Sequence, residues 1–363
     1  MKTRAVLAKL DPYVPGKRIE GGIKLSSNEN ALGPAPRARE AIESLIHDVH
    51  RYPDGGMHDL RAALAKRWTV DADMVVAGNG SDEILMMIGA AFIEPGTNAV
   101  TAAHTFSQYT FATQVFGGEI RLATMQNGRF DPDAVLDQID GHTRVVFLCN
   151  PNNPTGTIIP KAALEDLLAR VPRDVLVVID EAYGEYVDSD DYPDTLALLP
   201  EHPNLIRLRT FSKIYGLAAM RVGYGIARAE LIESIMRVRP PFNVGTLSQA
   251  AATAALEDTE FVERSLENNR LEKARLCAFL DAHDIRYFPT EANFLCADFS
   301  VTPGLPGIAS AGHAVRELDR RRIAVRPLVS FGLPDHLRIS IGTADEMDAL
   351  YAALEEIGRA SER

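Results

Sequence analysis

Between about residues 70 and 230, short apolar runs rich in β-branched residues alternate with longer stretches whose apolar positions recur at helical spacing. The short runs are MVVAG, NAVTAA, TRVVFLCN, VLVVID and NLIRLRTF; the longer ones include SDEILMMIGAAF and KAALEDLLARV. Strands that read as near-continuous apolar runs are buried on both faces, so the pattern predicts a mostly parallel sheet flanked by helices, the α/β class. The last third changes character. A long helical pattern over about 247–284 precedes short strands around NFLCADF, IAVRP and LRISIG among further helices, which predicts a smaller α/β domain. The first 30 or so residues, rich in Pro, Gly and Asn, read as an arm. The expected division is 1–45 for the arm and part of the small domain, 46–255 for a large domain, and 256–363 for the small C-terminal domain. No repeat, low-complexity segment or Gly/Ser linker interrupts the chain.

Composition narrows the function classes. A chain of 363 residues with a formal net charge of −12 lacks the concentrated basic face that nucleic-acid binding needs. Its one basic cluster, Arg320-Arg321-Arg322, reads as cations at the negative end of a helix dipole, and the acidic run at 188–194 as a solvated loop. No stretch approaches the roughly 20 apolar residues of a membrane span. The start, MKTRAVLAKLDPYVPGK, has no leader pattern, so a cytoplasmic setting is expected. Cys149, Cys277 and Cys296 have neither metal-ligand nor CxxC spacing and read as reduced, buried thiols. HExxH, GxSxG and a full P-loop are all missing, and no metal site is expected.

Chemistry gathers at the predicted strand ends, where open parallel sheets bind their ligands. TRVVFLCN runs into PNNPTG and Asn153; VLVVI delivers Asp180 and Tyr183; NLIRLRTF delivers Ser212 and Lys213. A carboxylate at the end of VLVVI leaves water and requires a partner: a salt bridge, a helix N-terminus, or a protonated heteroaromatic nitrogen. Lys213 lies between LIRLRTF and the apolar IYGLAAM, where a desolvated amine has a lowered pKa and becomes nucleophilic, although a surface lysine would have the same residue type. GNGSDE (78–83) joins a strand to a helix, a geometry that can hold a phosphate on free N–H groups. It also suits a tight turn capped by Ser81, with Asp82 and Glu83 complementing the dipole.

Taken in order, SSNENALGP, RYPDGG, GNGSDE, PNNPTG, DEAY, TFSKIYGLAAMRVGYG and LRISIGT span about residues 25–343. This set resembles the fold-type I pyridoxal-phosphate aminotransferases, and within them is similar to the histidinol-phosphate aminotransferases. The resemblance implies pyridoxal 5′-phosphate as cofactor, held in the large domain, and amino transfer from histidinol phosphate to 2-oxoglutarate by a ping-pong route. Lys213 would carry the cofactor and later shuttle the proton. Asp180 would keep the pyridine nitrogen protonated, with Tyr183 and Asn153 on the ring's phenolic oxygen. Gly80, Ser81, Asp82, Thr210, Ser212 and Arg221 would receive the cofactor phosphate, and Tyr109 would stack on the ring. Tyr52 would reach into a partner subunit's site, implying a homodimer. Arg338, with Arg326 and Tyr13, would hold the substrate's anionic group, and Glu29 or Asn30 its imidazole or amine. Two departures from the family pattern, Ala103-His104 and Ala219-Met220, concern the shape of the pocket.

Overall fold

A computed structural model describes residues 1–10 and 20–359 of the chain. Its larger sheet has seven strands, in the spatial order Val75–Gly78, Gly223–Ala227, Leu205–Thr210, Leu176–Asp180, Thr143–Cys149, Asn98–Ala102 and Glu119–Ala123. Neighbours from Leu205–Thr210 to Glu119–Ala123 pair in parallel, while Gly223–Ala227 runs antiparallel to both of its neighbours. The mostly parallel, helix-flanked arrangement is the predicted one. Two strands have no counterpart among the apolar runs. Glu119–Ala123 is an edge strand with partly exposed residues, and Gly223–Ala227 is diluted by glycine.

Gly223 shows why that glycine is there. A Cβ on it would lie 2.2 Å from the backbone nitrogen of Ser81, so only glycine lets this strand meet the start of helix Ser81–Phe92.

A second sheet of four strands holds Ile23–Leu25, Ile323–Pro327, His336–Ser340 and Phe294–Asp298, in that order. Ile23–Leu25 pairs in parallel with Ile323–Pro327, so the start of the chain joins strands from its end. Apolar residues of helices Ala311–Arg320 and Ala344–Arg359, among them Leu318, Leu350 and Leu354, form this sheet's core with Leu295, Leu337 and Ile339. The predicted helical run over 247–284 is two helices, Thr246–Ala255 and Thr259–Ala282. Asp258 breaks it: the residue leaves helical geometry and accepts a hydrogen bond from Arg37 N at 3.1 Å. The second helix contributes Phe261 to the core of the large sheet and Leu276 and Leu280 to that of the small one.

Between the two sheets, residues 26–35 run as a strap. Asn28 N donates to Ser340 Oγ at 2.9 Å, Asn293 Nδ2 to Asn28 O at 3.1 Å, and Ala35 N to Tyr215 O at 3.2 Å. These bonds satisfy backbone groups that burial would otherwise leave unpaired, and they fix the strap along one wall of a cavity of about 1380 Å³. No helix among the described residues is long and apolar enough to cross a membrane.

Candidate active site

The cavity opens at the carboxyl ends of the parallel strands. Leu176–Asp180 is the central strand and ends in Asp180, whose register partners are Cys149 and Leu208. Asp180 is buried. Its Oδ2 accepts from Tyr109 Oη at 2.8 Å and its Oδ1 from Ala182 N at 3.1 Å. Burial pushes its carboxyl up to about 6, and the Tyr109 hydrogen bond offsets part of that rise. A carboxylate so placed, with no cation paired to it among the described residues, is suited to a cationic N–H brought in by a ligand.

Lys213 enters from the turn after strand Leu205–Thr210. Its Nζ donates to Ser27 O at 3.1 Å and lies 5.5 Å from the Tyr183 ring centroid. Desolvation, and then the nearby Arg338 cation, lower its pKa to about 8, which makes a fraction of free amine available near neutrality. Tyr183 Oη accepts from Asn28 Nδ2 at 3.0 Å, and burial raises its pKa to about 12. Tyr183 therefore enters the site as a neutral phenol.

One end of the cavity is built to receive a phosphate. Helix Ser81–Phe92 begins there, its N-cap is Gly80 (φ 81°), and no side chain caps it. Its first N–H groups are thus left for a ligand. Arg221 reaches the same end: Nη2 bonds Asp82 Oδ2 at 3.0 Å and Nη1 lies 3.5 Å from Ser212 Oγ. Thr210 Oγ1 donates to Ser212 Oγ at 3.0 Å. A Cβ on Gly80 would fall 2.6 Å from Arg221 Nη2, so the glycine leaves room for the guanidinium. The acids of GNGSDE are engaged by the protein: Asp82 pairs with Arg221, and Glu83 accepts from Asn79 N and Asn243 Nδ2.

The same cavity carries two more guanidiniums. Arg326 and Arg338 are register partners on antiparallel strands, and both line the cavity. Arg338 is buried; it donates to Asn153 Oδ1 and, at 2.8 Å, to Ser26 O. Its Nε has no partner, and neither arginine forms an ion pair among the described residues. Burial, reinforced among the charged neighbours by Arg326, lowers the pKa of Arg338. Two cations on one strand pair, with no ion pair among the described residues, suit an anion receptor.

The predicted residues distribute unevenly. Ser81, Asp82, Asn153, Asp180, Tyr183, Thr210, Ser212, Lys213, Arg221, Arg326 and Arg338 line one cavity. Tyr109 does not. Rather than facing a ligand, its ring is fully buried, stacks on Phe147 with centroids 5.1 Å apart, and spends its hydroxyl on Asp180. Phe106 takes the wall position instead, edge-on to Tyr109. Asn30 is likewise not a substrate contact, because its amide is consumed by Ile214 O, Ser265 Oγ and Leu32 N. Glu29 pairs with Lys24 at 2.7 Å. Asn28, two residues before Asn30, lines the cavity together with Ser26 and Ser27 of the same strap. Tyr52 stands outside it, 84% exposed and stacked on Phe242. Tyr13 lies outside the described residues.

A reactive amine and a buried carboxylate share one cavity with a phosphate cradle at one end, and the pyridoxal-phosphate fold-type I class is what this fold and site define. The chain belongs to the family "Aminotransferase class I and II", whose model matches residues 20–354. It is 42% identical over 363 residues to a histidinol-phosphate aminotransferase of Anoxybacillus flavithermus, covering 98% of this chain and 96% of that one. It is 43% identical to histidinol-phosphate aminotransferase 2 of Pseudomonas aeruginosa, covering 96% and 95%. Among solved structures, histidinol-phosphate aminotransferase from Sinorhizobium meliloti in complex with pyridoxal-5′-phosphate superposes with a TM-score of 0.88 at 27% identity, over 99% of this chain and 98% of that one. The chain is a pyridoxal-phosphate-dependent aminotransferase.

Proposed function

We propose that the enzyme transfers the amino group of histidinol phosphate to 2-oxoglutarate, yielding imidazole-acetol phosphate and glutamate. The observation that carries this reading is the Arg326/Arg338 pair, which lines the same cavity as the Arg221 cradle and, unlike Arg221, forms no ion pair among the described residues. One receptor takes the cofactor phosphate. The other takes the phosphate of the donor and, in the second half-reaction, a carboxylate of the acceptor, since a guanidinium binds either anion bidentately.

When bound, pyridoxal 5′-phosphate supplies an aldehyde that condenses with amines and a cationic ring that accepts the electron pair released at the substrate carbon. The chain's own groups do the rest. Lys213 Nζ, its pKa lowered to about 8, would take up and return the proton at that carbon. Asp180 would hold a ring N–H cationic. Tyr183 and Asn153 would sit at the ring's phenolic oxygen, Phe106 against the ring face. Gly80, Ser81, Asp82, Thr210, Ser212 and Arg221 would hold the phosphate.

We further infer a cytoplasmic homodimer in which the partner's copy of Tyr52 completes the site; its exposure on this chain, stacked on Phe242, supports that role. A donor panel against holoenzyme with 2-oxoglutarate tests the substrate. Turnover with histidinol phosphate at a kcat/KM well above that with phenylalanine and other amino acids is expected. Preference for an α-amino acid would assign the pair to an α-carboxylate, and product without a keto acid would indicate a lyase.

A further inference from the structure

Arg326 and Arg338 sit on the two arms of one hairpin, Ile323–Pro327 and His336–Ser340, and its connection, residues 328–335, projects over the cavity. The base of this hairpin is tied to the large sheet through the hydrogen bond from Arg338 to Asn153. Its tip is tied as well. His104, on the loop after strand Asn98–Ala102, places Nδ1 2.7 Å from Phe331 O. A carbonyl only accepts, so Nδ1 carries the proton. The next residue, Gly332 (φ 75°), leaves the space the imidazole needs, since a Cβ there would lie 3.1 Å from both Cε1 and Nδ1 of His104.

His104 is itself held firmly. Its carbonyl accepts from Asn152 Nδ2 at 3.0 Å, and Thr105 Oγ1 donates to Asn152 Oδ1 at 2.7 Å. Asn152 is the neighbour of Asn153, so tip and base of the hairpin are both referred to one loop of the large sheet. Within the connection, Leu328 N bonds His336 O and Leu333 N bonds Leu328 O, which makes it a compact unit that moves with its strands.

We propose that His104 is a positioning residue for substrate binding: by gripping the Phe331 carbonyl it fixes the height of the Arg326/Arg338 pair above the cavity, and so sets affinity for the substrate's anionic group. The inference rests on reading that pair as the substrate-anion site. It involves no contact between His104 and the reacting atoms, so its effect falls on binding and leaves the chemical step nearly unchanged.

The test compares holoenzymes carrying His104→Ala and His104→Asn; the asparagine Nδ2 stands where the imidazole Nδ1 does. Expected for His104→Ala is a rise of about tenfold in KM for histidinol phosphate and 2-oxoglutarate and in the inhibition constant of inorganic phosphate, with kcat within about twofold. Amide exchange over 329–334 accelerates. His104→Asn recovers most of each change. Unchanged KM and exchange in His104→Ala, a fall in kcat alone, or no recovery in His104→Asn would overturn the proposal. Should His104→Ala fail to fold, His104→Gln, which retains bulk but carries its donor one bond further out, replaces it with the same expectations. Arg338→Met is run in parallel. If it too leaves KM and phosphate inhibition unaltered, the anion-site reading fails; if it raises both while His104→Ala does not, only the role of His104 fails.

Discussion

Tyr109 Oη donates to Asp180 Oδ2 across 2.8 Å, with the Tyr109 ring locked against Phe147 and fully buried. The phenol is therefore a support beneath the carboxylate that faces the cavity. Hydrogen bonds to charged groups contribute about 1.5–3 kcal/mol. Tyr109→Phe keeps the packing and removes this bond, so the variant should bind pyridoxal 5′-phosphate about tenfold more weakly in a fluorescence titration of cofactor-free protein. An unchanged affinity would show that the Asp180 position is held by packing alone.

Asp180 also sets a pH dependence. Burial raises its carboxyl to about 6 in the folded protein, above the ordinary value of 3.8. The unfolded chain binds fewer protons in that interval, so the stabilisation that protonated Asp180 provides is complete below pH 3.8 and is lost as pH rises through about 6. Cofactor-free Asp180→Asn should accordingly be more stable than the parent at pH 7 to 8, by on the order of 2–3 kcal/mol in denaturant unfolding. Activity of the variant should fall at least a hundredfold. Equal stability of the two proteins across pH 4 to 8 would contradict the assigned burial.

The residue after Asp180 anchors the same strand end from the opposite side. Glu181 is buried between Arg207 and Arg209, each 2.9 Å away, and both guanidiniums lie over the Trp68 ring. Burial opposes its ionisation, but the two arginines outweigh that and hold its pKa low. Glu181→Gln strands the buried Arg207, while Arg209 keeps Glu185 at 3.0 Å, a loss of about 3–5 kcal/mol that chemical denaturation will report. A loss below about 1 kcal/mol would mean that water relieves the cluster.

How much of this was legible in the chain depends on burial. Asp180 stood out because it ends an apolar run, and Lys213 and Asn153 because each follows closely on a strand-like run, where a charged or amide side chain needs a reason. The strands at Glu119–Ala123 and Gly223–Ala227 did not stand out: the first is partly exposed and the second is interrupted by glycines. In TFSQY, nothing local distinguishes Phe106 from Tyr109. Only the fold turns the tyrosine inward to Asp180 and leaves the phenylalanine on the wall. The same holds for Asn28 and Asn30. Asn28 adopts a left-handed backbone (φ 56°) and faces the cavity, whereas Asn30 is spent on Ile214 and Ser265.

Gly223 offers a test of the cradle independent of any catalytic group. Because a methyl group at this position would stand 2.2 Å from Ser81 N, Gly223→Ala must displace the start of helix Ser81–Phe92 from Arg221. Cofactor affinity should fall by tenfold or more in equilibrium dialysis, while the far-ultraviolet circular dichroism stays that of the parent. Unaltered affinity would remove the helix start from the phosphate site.

The most direct measurement is borohydride reduction of holoenzyme followed by peptide mapping with mass spectrometry. One pyridoxyl-phosphate adduct per chain, on the peptide containing Lys213 and absent from Lys213→Ala, is the expected result. No adduct, or an adduct on another lysine, would contradict the assignment of this amine as the group that carries the cofactor.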